Sequence, residues 1–150
     1  MKTGLILLSA SFVCILAACQ AANPTIDAPL NSEFSLAPDQ SATIRRTDLT
    51  ITFNAVLNDD RCPRQIECAA NGPVTVSLWL QEDNGTLSGI SLQTFTDQEG
   101  RAPESQFEGI ENSVETGDYV IRLVGVLPYP QNLSGIKPSD YQVTLIVTQK

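Results

Sequence analysis

Four stretches of the chain alternate between apolar and polar residues with a period of two, or are apolar throughout. Residues 74–81 (VTVSLWLQ) and 141–149 (YQVTLIVTQ) alternate, and residues 119–127 (YVIRLVGVL) are apolar on both faces. Residues 49–57 place five side chains on one face: Leu49, Ile51, Phe53, Ala55 and Leu57. Alternation of this kind is typical of half-buried antiparallel strands, and a run that is apolar on both faces is typical of an inner strand.

Shorter stretches complete an all-β pattern. Weaker strand candidates lie at residues 34–36, 41–46, 87–95 and 105–110, and the EDNG sequence at 82–85 is a hairpin-turn signal. Tyr119, just after a Gly-Asp turn, is similar to the tyrosine corner of immunoglobulin domains. We therefore predict an immunoglobulin-like antiparallel β-sandwich of about seven or eight strands. A small β-barrel is the alternative.

The N-terminal residues resemble an export signal. Residues 1–18 combine a basic start with a short apolar run, and residues 16–19 read LAAC, the pattern of a bacterial lipoprotein signal. This predicts cleavage before Cys19 and lipid attachment to its thiol, which anchors the chain in a membrane. Ordinary cleavage near residues 21–22, or an uncleaved anchor, are the alternatives. Residues 19–32 are predicted to be a flexible tether, and residues 33–150 a single domain.

Charge and composition narrow the possible functions. The chain has 17 acidic and 9 basic side chains, a net charge of −8, which disfavours binding to nucleic acid. It contains no His, so histidine-based catalysis and histidine-ligated zinc are excluded. We predict no catalytic residue, no metal and no cofactor. Two alternatives stay open, a hydrolase that uses carboxylates alone and a calcium site at Asp59 and Asp60.

Two cysteines lie in the segment DDRCPRQIECAANG, residues 59–72. Cys62 and Cys68 are too few for a tetrahedral zinc site, and an exported chain meets an oxidising environment. We predict a Cys62–Cys68 disulfide that closes a small loop before the strand at residue 74. A redox-active pair is the alternative, although the CxxC spacing is absent.

The same segment resembles a family of bacterial extracytoplasmic lipoprotein domains. Its members carry Asp-Ser-Arg-Cys-Pro, a second Cys, a Trp-Ala-Gly turn, and a Pro-rich loop before a last strand with Asp-Tyr. The positions that match in the cysteine segment are Asp59, Arg61, Cys62, Pro63, Cys68 and Gly72. Asp60 replaces the usual Ser, and Ala70 and Asn71 replace Trp and Ala. The resemblance implies a fold and a location, and no activity.

These observations predict a membrane-anchored module of the bacterial cell envelope, in the cell membrane or the outer membrane, facing away from the cytoplasm. We expect a structural or protein-binding role without catalysis, with an envelope protein as the possible partner. Candidate contact residues are Arg61, Pro63, Arg64 and Tyr129, the last in the loop LPYPQNLSGIKP. The alternative function is protease inhibition by the disulfide loop at residues 61–68.

Overall fold

The alternating stretches fold as antiparallel strands. A computed structural model describes residues 24–82, 85–105 and 107–150. The described residues form nine strands: β1 (Ile26–Ala28), β2 (Glu33–Leu36), β3 (Ser41–Ile44), β4 (Leu49–Asp59), β5 (Val74–Glu82), β6 (Leu87–Thr94), β7 (Ser113–Thr116), β8 (Tyr119–Leu127) and β9 (Gln142–Gln149). A 3-10 turn, Pro138–Asp140, precedes β9. No helix that could span a membrane is found in this part of the chain.

The strands form two sheets that pack face to face. One sheet has the order β1-β3-β4-β5-β6, and the other has the order β2-β9-β8-β7. All neighbouring strands are antiparallel except β1 and β3, which are parallel. The predicted β-sandwich is confirmed, and the sheets do not close into a barrel. Because β3 to β6 are sequential in one sheet and β7 to β9 in the other, each sheet is built mainly from a meander.

The inner faces of the two sheets supply the core. Alternate residues of β5, β9 and the first half of β4 point inward, as the pattern of the sequence predicted, whereas the inner strand β8 is buried at successive residues from Leu123 to Val126. The largest fully buried side chains include Phe53, Leu78, Leu123 and Leu145. Burial of apolar area at this interface supplies the main driving force for folding.

Two β-bulges interrupt the pairing of β4 with β5. Each bulge adds an unpaired residue and changes the face on which the following residues lie. Val56 therefore lies opposite Val76 and packs against the core, whereas Leu57 is 58 % exposed. The prediction that Ala55 and Leu57 share the face of Leu49, Ile51 and Phe53 was wrong, because uninterrupted alternation does not allow for bulges; Ala55 lies opposite the outward residue Ser77. After the second bulge Asp59 lies opposite Val74, next to the interior.

The domain begins earlier than the sequence predicted. Residues 19–32 were expected to form a tether, yet Ile26–Ala28 is the strand β1, paired with β3. Ala28 is buried, and Ile26 and Leu30 pack against the core. The Asn31 N–H also donates to the Val147 carbonyl at 2.8 Å. A flexible tether is thus wrong from Ile26 onward. The predicted signal, 1–18, and Cys19 lie outside the described residues.

One weak strand candidate was misplaced. The described residues of 105–110 form no strand, and a turn is closed there by the Ile110 N–H donating to the Phe107 carbonyl at 3.1 Å. The Phe107 ring contacts that of Phe95 edge-on, with centroids 5.1 Å apart. The strand forms at Ser113–Thr116 instead, as β7. The other weak candidates fold as β2, β3 and β6.

Candidate functional site

The end of β4 places an ion pair at one end of the sandwich. Arg61 follows the strand by two residues and turns back onto Asp59. Its Nε donates to Oδ1 of Asp59 at 2.7 Å, and its Nη2 donates to Oδ2 at 2.6 Å. This two-point geometry is the strongest that arginine makes with a carboxylate. The Arg61 side chain is fully buried, and that of Asp59 is 11 % exposed.

Arg61 also connects loops that are far apart in sequence. Its Nη1 donates to the Val126 carbonyl at 2.8 Å and to the Thr96 hydroxyl at 3.4 Å. Its Nη2 donates to the Pro128 carbonyl at 3.0 Å. All five N–H donors of the guanidinium therefore have acceptors, which a buried charge requires. We call the three segments joined in this way, residues 59–72, 94–101 and 126–136, the braced end.

Tyr129 closes the braced end from the side of the Pro-rich loop. Its ring faces the guanidinium of Arg61, with 5.2 Å from the guanidinium carbon to the ring centroid, and Arg64 lies over the same ring at 5.8 Å. Tyr129 is only 6 % exposed. The structure does not favour Arg61 and Tyr129 as contact residues, because both side chains are buried and hold the loops together. Pro63 is half-buried and Arg64 is exposed.

Tyr141 is the second partner of the Asp59 carboxylate. Its hydroxyl donates to Oδ2 of Asp59 at 3.0 Å. Burial, followed by the negative charge of Asp59 and this hydrogen bond, raises the pKa of Tyr141 to about 12. Each of these effects disfavours the phenolate beside a carboxylate. Tyr141 therefore stays protonated at neutral pH and acts as a hydrogen-bond donor.

The cysteine loop is covalently closed. The predicted Cys62–Cys68 disulfide is confirmed, with Cα atoms 6.0 Å apart. The Cys62 N–H donates to Oδ1 of Asn71 at 2.8 Å, which ties the start of the loop to its end. A Cβ at Gly72 would lie 2.5 Å from the Asp60 carbonyl oxygen, so the return to β5 requires a glycine.

Backbone hydrogen bonds join the cysteine loop to the Pro-rich loop. The Arg64 N–H donates to the Pro130 carbonyl at 3.1 Å, and the Gln65 N–H donates to the Gln131 carbonyl at 3.0 Å. The Arg64 side chain donates to the Gln98 carbonyl of the third segment. Main-chain pairing, the disulfide and Arg61 thus fix the relative positions of all three segments.

An open cleft of about 280 Å³ lies between the cysteine loop and the Pro-rich loop. Its lining is mixed: Asp59, Asp60, the disulfide, Pro63, Leu133, Ile136 and Tyr141. Leu133 is 80 % exposed at the rim, and Ile66 is 38 % exposed on the cysteine loop. The cleft and its rim offer apolar contact area beside carboxylates.

The carboxylates of the cleft are engaged within the protein. Both oxygens of Asp59 accept from Arg61, and Oδ2 of Asp60 accepts from the Asn58 side chain. Within the described ranges, no group of three or more His, Cys, Asp or Glu side chains is placed to hold a metal ion. The bonds to Asp59 do not favour the calcium alternative, and the absence of a cofactor stays a prediction.

Sequence reasoning missed two residues of the braced end. Asn71 was read only as part of a turn, yet its amide nitrogen donates to the Thr96 carbonyl at 3.4 Å and its oxygen accepts from the Tyr129 hydroxyl at 3.4 Å. Tyr141 was assigned to the apolar face of the last strand. None of these three hydrogen bonds leaves a local pattern in the sequence, since the bonded residues lie 25 or more positions apart.

Comparisons with known proteins found no match: no protein-family model, no curated protein and no solved structure is significantly similar to this chain.

Proposed function

We propose that this protein is a lipid-anchored, extracytoplasmic recognition module that binds an envelope protein through its braced end and performs no catalysis. The observation that carries the proposal is the buried Arg61, whose five donors fix three loops in one arrangement. Loops held on a rigid scaffold are a common means of presenting a binding surface.

The disulfide supports the proposed location. Disulfides form and persist outside the reducing cytoplasm, and a small exposed loop gains order from such a bond. Lipid attachment at Cys19 rests on the LAAC sequence at residues 16–19. Together they favour an exported chain that is held at a membrane surface.

The rigidity of the braced end supports binding. A surface that is ordered before its partner arrives loses less conformational entropy on association. Residues 64–71 are exposed in succession. Leu133 adds apolar area at the cleft, and Ile66 adds apolar area on the cysteine loop. Exposed apolar area grouped on one surface marks a binding site more often than scattered apolar side chains do.

The structure does not favour the inhibitor alternative. A substrate-like loop needs a basic or apolar side chain that can enter a protease cleft, and Arg61 is fully buried. Arg64 is exposed, but its side chain is bonded to the Gln98 carbonyl. Titration of trypsin-like and papain-like proteases with the purified protein tests this alternative directly, and we expect no inhibition.

Site-specific photocrosslinking in intact cells tests the recognition role. A photoreactive residue at Leu133 or Ile66 should give the same adduct, which mass spectrometry identifies, and one at Glu115 on β7 should not. The purified partner should then bind the wild-type protein, and Leu133→Asp should weaken that binding while Glu115→Lys does not. Equal adducts at all three positions, or turnover of an envelope substrate, would contradict the proposal.

The anchor is tested separately. Cys19→Ala should move the protein from the membrane fraction to the aqueous phase in detergent phase partitioning, while Cys14→Ala should leave it in the membrane. Retention of the Cys19→Ala protein in the detergent phase would rule out lipid attachment at that thiol.

A further inference from the structure

The strand β6 is a sheet edge with unpaired backbone groups. The Gln93 N–H points away from β5 and donates to the Glu111 carbonyl at 2.8 Å. Backbone groups alternate in direction along a strand, so the residues that bond to β5 are Ser88, Ile90, Leu92 and Thr94. By the same period of two, the N–H and C=O groups of Leu87, Gly89 and Ser91 point away from β5. Among the described residues, these three have no backbone partner on that side.

This edge differs from the other edges of the two sheets. The strands β1, β2 and β7 are three to four residues long, and each carries an acidic residue: Asp27, Glu33 and Glu115. Short strands and charges protect an edge against pairing with another chain. The strand β6 is eight residues long and has neither a charge nor a proline. It lacks the protection that the other edges have.

The outer face beside this edge is also free of charge. The outward residues of β5 and β6 are Thr75, Ser77, Trp79, Gln81, Leu87, Gly89, Ser91 and Gln93. The chain as a whole has a net charge of −8, so two copies repel each other over most of their surface. The outer face of β5 and β6 adds nothing to that repulsion, although the acidic Glu111 lies at one end of the edge, where its carbonyl accepts from Gln93.

Trp79 lies over the centre of the edge. It is paired with Gly89 across β5 and β6, and a Cβ at Gly89 would lie 3.0 Å from Cζ3 of the Trp79 ring. Trp79 is 41 % exposed. An aromatic side chain over an edge glycine supplies the packing that the glycine lacks. It also leaves apolar area at the position that a second sheet would reach.

We propose that two copies of this protein pair through β6, antiparallel and with a two-fold axis at Gly89, to join their five-stranded sheets into one. In this register Gly89 faces Gly89 of the second copy, and Leu87 faces Ser91. Leu87, Gly89 and Ser91 then each exchange two backbone hydrogen bonds with the residue opposite. This pairs all of their N–H and C=O groups that point away from β5. The two Trp79 rings lie on the same face, one on each side of the glycine pair.

The pairing uses a different surface from the braced end and does not depend on the proposed function. An interface limited to one strand edge is smaller than that of most permanent dimers, so we expect a reversible association. If both copies are held on one membrane by the proposed lipid anchor, their effective concentration rises and favours the pairing.

Two variants of Ser91 test the edge. Sedimentation equilibrium of the purified full chain over a concentration series should show a monomer–dimer equilibrium. Ser91→Pro removes an N–H that β5 does not use, and should raise the dimer dissociation constant on the order of tenfold. Ser91→Ala keeps the N–H and should leave it unchanged. A wild-type chain that stays monomeric up to millimolar concentration overturns the proposal, even if another protein binds at β6.

Cysteine crosslinking tests the register independently of whether Ser91→Pro folds. Directly opposed residues in a hydrogen-bonded pair have Cα atoms about 5.5 Å apart, within the reach of a disulfide. The double variant Leu87→Cys with Ser91→Cys should therefore form a covalent dimer on oxidation. Either single variant should not, because identical positions lie about 13 Å apart along the strands. Equal crosslinking of a single variant overturns the Gly89-centred register.

Discussion

Arg61 and Asp59 form a largely buried two-point ion pair, with N–O distances of 2.7 and 2.6 Å, although they are only two residues apart in sequence. The pair lies where the end of β4 meets the loops that follow β6 and β8. Tyr141 completes it from the start of β9 with a hydrogen bond of 3.0 Å to the same carboxylate. The ion pair thus joins segments from four parts of the chain.

Loss of the Arg61 side chain should strongly destabilise the fold. Arg61→Met leaves the Asp59 carboxylate without its counterion, and we expect the free energy of unfolding to fall by about 3–5 kcal/mol. Denaturant unfolding measures it. Arg64→Met removes an equal charge from an exposed position of the same loop and should cost less than about 1 kcal/mol.

The double variant Arg61→Met with Asp59→Asn should recover part of that loss, because the buried charge is removed as well. Equal effects of Arg61→Met and Arg64→Met, or additive effects in the double variant, would contradict the role given to the ion pair.

The disulfide should stabilise the domain modestly. Opening a loop of this length restores entropy to the unfolded chain worth about 2 kcal/mol, so Cys62→Ser with Cys68→Ser should lower Tm by about 8 °C. Differential scanning calorimetry measures the shift. Reducing agent should lower the Tm of the wild-type protein by a similar amount and leave the double variant unchanged. Equal Tm shifts in the wild-type protein and the double variant would mean that the reducing agent does not act through this disulfide.

Tyr141 should make stability depend on pH in the alkaline range. Its pKa is raised in the folded state to about 12 from an ordinary value of 10.0, so the folded state holds this proton more tightly than the unfolded chain. The resulting stabilisation is fully present below pH 10 and is lost as the pH rises through about 12. Tyr141→Phe lacks the hydroxyl and should lose this contribution.

The comparison requires unfolding curves of the wild-type and Tyr141→Phe proteins at several pH values. Below pH 10 the variant should be less stable by about 1–3 kcal/mol, because Asp59 loses a donor. The difference should shrink toward pH 12. Absorbance titration of tyrosine ionisation should show that Tyr141→Phe lacks the tyrosine with the raised pKa. A constant difference across this range would contradict the shifted pKa.

The bulges of β4 lead us to expect an exposed Leu57, whereas uninterrupted alternation would bury it. Leu57→Ala should change the free energy of unfolding by less than about 0.5 kcal/mol, because Leu57 is 58 % exposed. The same substitution at the fully buried Leu78 should cost about 2–5 kcal/mol. Similar losses at both positions would place Leu57 in the core and remove the bulges.

The sequence by itself determined the strands and the class of fold. The alternation at residues 49–53, 74–81 and 141–149 is a local property, since successive side chains of a strand point to opposite faces. The spacing of Cys62 and Cys68 likewise limited the chemistry of the loop to a few possibilities, and the disulfide was among them.

Only the tertiary structure decided which residues are buried at the braced end. Arg61 and Tyr129 were only candidate contact residues, because polar and aromatic residues in a loop carry no sign of their distant partners. The acceptors of Arg61 in β8 and the loop after it lie 65 and 67 positions away. The bulges that expose Leu57 also depend on the pairing of β4 with β5. Such contacts are set by how the sheets and loops pack together, and local periodicity does not encode them.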